Sequence, residues 1–169
     1  PPRSTLFPYT TLFRSFDVSA PENSVEAYFK IVHTKKEADE IFVNAGKKDV
    51  VGVVFGKNTE NVLPLFASSA EMNHVGIAFG DEEIYTIYTG EDITFSYLQE
   101  KLNELTSVVK TISICNIKEA LKWISFTQEK NAFDPIIASY LLNPLKSDYE
   151  FEDIAREQLN IYIDEKTAE

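Results

Sequence analysis

Arginine is almost missing from this chain: beyond Arg14 the only one is Arg156. Sixteen basic side chains face 27 acidic ones, giving a net charge of −11 at pH 7. A free-standing nucleic-acid binder carries a basic stripe that releases counterions from phosphates. This sequence has none, so by itself it should bind DNA poorly. Cysteine is scarce too. Cys115 stands alone, which excludes an internal disulfide and makes a reducing, cytoplasmic setting the expected one. No apolar run approaches the roughly 20 residues of a membrane span. The two histidines, His33 and His74, are too isolated to suggest a ligand pair and read as strand-edge or surface residues. Six glycines include no phosphate-cradling loop, since Gly52 and Gly56 flank a strand with no Gly-Lys-Ser/Thr after them.

The composition that remains is that of a packed domain. Hydrophobic residues make up 44% and aromatics 12% of 169 residues, enough for one domain that buries about two-thirds of its unfolded surface. The first fifteen residues are an exception. Thr5 to Ser15 reads TLFPYTTLFRS, repeats TLF, and precedes any acidic residue. Pro8 and the interspersed threonines break it up too much for a signal peptide. It resembles one reading frame of a sequencing-library adapter oligonucleotide. Residues 1–15 are therefore expected to be adapter-derived and to pack on nothing, leaving 16–169 as the domain, cut from a longer gene at both ends. Without Arg3 and Arg14 that domain holds 14 basic against 27 acidic side chains.

Periodicity places one α/β unit in the remainder, without repeats or low-complexity linkers. Ala27 to His33 alternates as a strand. Thr34 can cap a helix through Ala45, with Glu37 completing a capping box and Gly46 as the stop. The β-branched run Asp49 to Phe55 predicts a strand buried on both faces. Glu71–Phe79 and Glu83–Thr89 read as a hairpin turning at Gly80-Asp81-Glu82. Thr94 caps a helix through Leu105, Val108–Cys115 is a strand, and Ile117–Phe126 is a helix. Three acids at the turn suggest solvation rather than a metal loop. Cys115 reads as a core thiol, and helical spacing assigns Trp123, Phe126 and Tyr140 to packing rather than base stacking.

Ala132 to Leu159 is the most informative stretch. Asp134-Pro135 is a helix start, with the carboxylate as cap and proline at the first helical position. Ile136, Ile137, Tyr140 and Leu141 share a face that should be buried, Ile137 and Leu141 most of all. Asn143-Pro144 ends that helix. Phe151, Ile154, Ala155, Gln158 and Leu159 restart the period, with Phe151 expected to be partly exposed.

The wording of this block, Phe133-Asp134 followed by Tyr140-Leu141-Leu142-Asn143-Pro144 and Glu152-Asp153-Ile154-Ala155-Arg156, resembles the 3′–5′ exonuclease domain of bacterial family A DNA polymerases. The resemblance extends more generally from Ala27 to Leu159. It implies a ribonuclease-H-like mixed sheet flanked by helices. Val50–Gly56 takes the place of the first core strand, Val75–Phe79 that of its partner, and Asn116-x-Lys118 matches the Asn-x-Lys before the second acidic motif.

Active members of that family hold two divalent metals with four carboxylates. The first two form an Asp-x-Glu at the end of the first core strand, where alternation puts both on one side. Here those positions are Val54 and Gly56. The third carboxylate should follow Lys118 by two residues, and that residue is Ala120; Glu119 points about 100° away round a helix. The fourth lies downstream in a Tyr-x-x-x-Asp motif, of which no plausible copy is expected before Glu169. With the carboxylates at Val54, Gly56 and Ala120 lost, no catalytic residue and no metal ligand is expected; Asn116, Lys118 and Asp134 are remnants of the family motifs. The resemblance implies a catalytically inactive platform for a polymerase domain of the same parent chain. Magnesium and DNA would be handled by the parent enzyme, with no cofactor in this fragment and no membrane partner. Two alternatives stay open. One is an active exonuclease with relocated carboxylates such as Asp49, Glu60 and Glu119. The other is an acidic α/β protein-interaction module.

Overall fold

A computed structural model of the chain describes residues 29–57, 72–80, 82–126 and 132–161. The leading segment 1–15, Glu60 and Asp81 lie outside the described residues, so the expectations placed on them are not addressed by it.

The central strand is β2 (Val50–Lys57). It pairs antiparallel with β3 (Met72–Ala78) and parallel with β5 (Thr111–Ile114). β3 turns through a tight hairpin into β4 (Ile84–Tyr88), closed by Phe79 N–H to Glu83 O at 3.1 Å. At one edge β1 (Phe29–Val32) runs parallel to β4; at the other β6 (Ala132–Phe133) runs parallel to β5. The order is β1-β4-β3-β2-β5-β6. An antiparallel meander continued by parallel strands that need crossovers is a mixed sheet, the ribonuclease-H-like arrangement that the sequence resemblance implied.

Helices α1 (Lys35–Ala45) and α2 (Phe95–Val108) supply much of the core beside the strands. Thr34 and Thr94 cap them, each accepting from the backbone N–H three residues on. In α1 the box is modified, because Thr34 Oγ1 also donates to Glu37 Oε2 at 2.8 Å. Leu98 and Leu102 of α2 are fully buried with Val51, Val53, Val75, Ile77, Ile87 and Ile112. Each such side chain contributes about 1.5–3 kcal/mol of burial energy. Gly46 does end α1, but at φ −63° rather than in the left-handed region. A Cβ there would meet Phe42 O and Val108 Cγ2 at 3.4 Å, at the edge of ordinary contact.

Several expectations are corrected. Among the described residues, β2 is fully buried on one face only. Val51 and Val53 are buried, whereas Val50 and Val54 are more than half exposed. A β-branched run reports strand propensity and cannot by itself count the layers above it. The helix expected over Ile117–Phe126 stops early, as α3 (Ile117–Ala120). Side chains of α2 capture the backbone that would have continued it: Gln99 Nε2 donates to Trp123 O at 2.7 Å, and Asn103 Oδ1 accepts from Ser125 N–H at 2.8 Å. Two tertiary bonds thus replace helical ones. The short strand β6 has no counterpart among the expected elements.

The largest correction concerns α4 (Pro135–Leu142), which buries none of its residues. Ile137 is 51% and Leu141 73% exposed. The helix forms on its cap and proline start, yet its apolar face meets little. α5 (Phe151–Leu159) does bury Ile154 and Ala155, and Phe151 is partly exposed as expected. It closes on Asn160, which adopts φ 54° and lets Ile161 N–H reach Ala155 O at 3.2 Å, a left-handed helix stop.

Candidate active site

The C-terminal half of β2 carries Val54 and Gly56, the positions that the sequence resemblance matches to two carboxylates. Alternation along the strand sets Val54 and Gly56 on one face of the sheet, opposite Gly76 and His74 of β3. Phe55 points to the other face, where its ring meets Trp123 at 5.2 Å between centroids. Lys57 lies on that side as well: its ammonium sits 5.3 Å above the Trp123 ring and pairs with Glu119. The register slips between Gly56 and Lys57, so the strand ends its regular pairing at the site itself.

Val54 carries an exposed isopropyl group and no donor atom. Gly56 is more restrictive than a simple omission. A Cβ built on it would fall inside the imidazole of His74, against Cε1, Nε2 and Nδ1. The ring is held there by Nδ1 against Asn73 Oδ1 at 2.7 Å and by the Tyr88 ring at 5.0 Å. Burial lowers the His74 pKa, which favours the neutral ring. His74, read from sequence as an isolated strand-edge residue, is therefore packed over Gly56. The signal available in the sequence was Gly56 itself, a glycine ending a β-branched strand, where a close approach is expected.

The third position that the resemblance matches to a carboxylate is closed to solvent. Ala120 is 1% exposed and belongs to the core cluster. Asn116, just before α3, adopts the left-handed conformation (φ 58°, ψ 62°) that asparagine tolerates better than most residues, and its side chain makes no cap bond. That role passes to Asp134. Its Oδ2 accepts Ile117 N–H at 2.8 Å and its Oδ1 accepts Ile136 N–H at 2.9 Å, so one carboxylate caps two helices. Lys118 is exposed. Glu119 has its pKa lowered by the Lys57 hydrogen bond first and by the Lys57 and Lys122 charges. Its carboxylate is already committed to a cation.

Of the relocated carboxylates, the two among the described residues, Asp49 and Glu119, do not converge. Asp49 precedes β2 and binds Thr111 N–H through its carbonyl, while Glu119 is tied to Lys57 at the far end of the same strand. Eight strand residues between them span roughly 26 Å at 3.3 Å each. Tyr149 and Asp153 do stand at Tyr-x-x-x-Asp spacing, but Tyr149 donates to Asn143 O, and Asp153 pairs with Arg156 and Lys146. Trp123 and Phe126 pack against the core, whereas Tyr140 is half exposed beside Tyr149. His33 is exposed, and Cys115 is half-buried with its pKa raised by burial first and then by Asp134. Among the described residues, no group of three or more histidine, cysteine, aspartate or glutamate side chains could hold a metal ion. Neither Val54, Gly56 nor Ala120 offers a ligand oxygen from its side chain, so these three described positions do not fit the two-metal centre that the sequence resemblance implies. No described helix is long and apolar enough to cross a membrane.

No protein-family model matches the sequence, and no curated protein is significantly similar to it. Solved structures are similar. The EXO domain of Aedes aegypti Nibbler superposes with a TM-score of 0.61 at 10% identity, over 86% of this chain and 74% of that one. Escherichia coli RNase D, an exoribonuclease, gives 0.59 at 11% identity over 80% of this chain. The POL domain of Pol1 from M. smegmatis gives 0.58 at 14% identity over 82%. This chain spans 34% of the RNase D chain and 24% of the polymerase chain. At such identities the likeness speaks to fold alone: the chain has the ribonuclease-H-like α/β fold of 3′–5′ exonuclease domains.

Proposed function

We propose that this is a catalytically silent 3′–5′ exonuclease-like domain of a bacterial DNA polymerase I, retained as a structural platform for the polymerase domain of the same parent chain. The observation that carries the silence is the pair Val54 and Gly56 where metal ligands would stand, with the His74 ring packed over Gly56. Two-metal hydrolysis places like charges a few ångströms apart, and only clustered carboxylates offset their repulsion. The polymerase origin is supported by the Phe133–Leu159 wording and by the Pol1 chain among the similar structures. The uncovered apolar helix α4 agrees with a face that another domain covers in the parent. In this reading the parent enzyme extends primers with magnesium and deoxynucleoside triphosphates in the cytoplasm, and DNA reaches this domain only through it. The test is the genomic sequence beyond the codon for Glu169. Polymerase motifs in frame support the proposal; a stop codon, or a different domain, overturns the platform role.

A further inference from the structure

We propose that His74 is a plug, an imidazole that has taken over the volume of the second metal-binding side chain and seals the face of β2 against its return. The inference goes beyond loss of carboxylates. A site that has merely lost its ligands could regain them by substitution at the same positions; a plugged site could not.

Gly56 and His74 are direct Cα partners across the antiparallel β2–β3 pair. Side chains on directly opposed residues normally stand beside one another, with Cβ atoms about 4.5–5.5 Å apart. Here the imidazole instead folds back across its partner's α-carbon. It can do so only because position 56 has no Cβ, since one built there overlaps three ring atoms. The ring does not lie there by default. Asn73 Oδ1 holds Nδ1 at 2.7 Å, and Asn73 is itself fixed, its carbonyl accepting both the N–H and the hydroxyl of Thr89 at 2.8 and 2.9 Å. Tyr88, opposite His74 on β4, covers another side of the ring. Three strands therefore converge to fix one imidazole over one glycine. Lys57, the next residue of β2, pairs with Glu119 on the other face, so the nearest carboxylate of α3 is drawn away from the plugged side.

The functional meaning of the plug rests on matching Val54 and Gly56 to the family's Asp-x-Glu, but the packing claim does not. A four-protein cycle tests the packing: wild type, Gly56→Ala, His74→Ala and the double variant, each unfolded in urea. Gly56→Ala should lower the midpoint in the wild-type background and leave it unchanged or raised in the His74→Ala background, where the added methyl has room. Equal shifts in both backgrounds overturn the plug. If Gly56→Ala does not fold alone but folds together with His74→Ala, the coupling is shown in its strongest form. If His74→Ala itself does not fold, the Gly56→Ala protein is read by NMR, which is simple because the chain has two histidines. The His74 Hε1 signal should move and its titration midpoint should rise towards that of an ordinary histidine as the ring is expelled into water. A signal and midpoint matching the wild type would contradict the proposal. Failure of this cycle would leave the silent-site reading standing, whereas magnesium-dependent nuclease activity would remove that reading and leave the packing result intact.

Discussion

The carboxylate of Asp134 accepts the backbone N–H of Ile117 at 2.8 Å across 17 residues of chain, while its other oxygen caps α4 through Ile136. One side chain thereby fixes the start of α3 relative to the start of α4. Asp134 is buried, so water cannot readily replace it, and an orphaned N–H at each helix start would follow its removal. Asp134→Ala should cost about 1–3 kcal/mol in urea unfolding. Asp134→Asn, which keeps one acceptor, should cost less. Equal costs would mean that only one of the two bonds contributes.

Two leucines separate the core from the uncovered helix. Leu102 is fully buried and Leu141 is 73% exposed. Leu102→Ala should destabilise by about 2–5 kcal/mol through lost burial and a residual cavity. Leu141→Ala should change stability by no more than about 0.5 kcal/mol. A loss above 1 kcal/mol at Leu141 would place that side chain against something in solution.

Much of the architecture is legible in the sequence because local chemistry determines it. Thr34, Thr94 and Asp134 cap where their spacing predicts, the β-branched run locates β2, and the hairpin pattern locates β3 and β4. What local patterns cannot show is which neighbour covers a face. The β-branched run of β2 and the apolar face of α4 look buried from sequence, yet Val54 and Leu141 stay in solvent. The same holds for the end of α3, where Gln99 and Asn103 reach across from α2 and outbid the helix for its own backbone. The lack of a side-chain oxygen at Val54, Gly56 and Ala120 is plain in the sequence, and matching them to carboxylate positions rests on the resemblance. The contact of His74 with Gly56 is not plain there, because it depends on the β2–β3 register.

Ala120→Asp should be more damaging than Val54→Asp. The residue is 1% exposed within the core cluster, and an unpaired carboxylate there loses its hydration without gaining a partner. The variant should lose at least about 3 kcal/mol or fail to fold, whereas Val54→Asp, at an exposed strand position, should remain folded. A stable Ala120→Asp protein that binds manganese in calorimetry would mean that α3 can open towards the metal positions.

Stability should also depend on pH through His74. Burial holds its folded pKa below the ordinary histidine value, so the unfolded chain binds its proton first as pH falls. The neutral ring's contribution is therefore fully present above the unfolded pKa of about 6.5 and is lost as pH falls through the lower folded value. The difference in unfolding midpoint between wild type and His74→Gln should shrink on acidification from pH 7.5 to 5. A difference that grows would reverse the sign assigned to the ring's burial.

The most direct measurement is digestion of 5′-labelled single-stranded DNA by the purified chain in magnesium and, separately, in manganese, with a chelator control. No shortening of the labelled strand above the chelator control is expected, because Val54, Gly56 and Ala120 provide no ligands and Glu119 is held by Lys57. Progressive loss of 3′ nucleotides that stops with chelator would contradict the silent site outright.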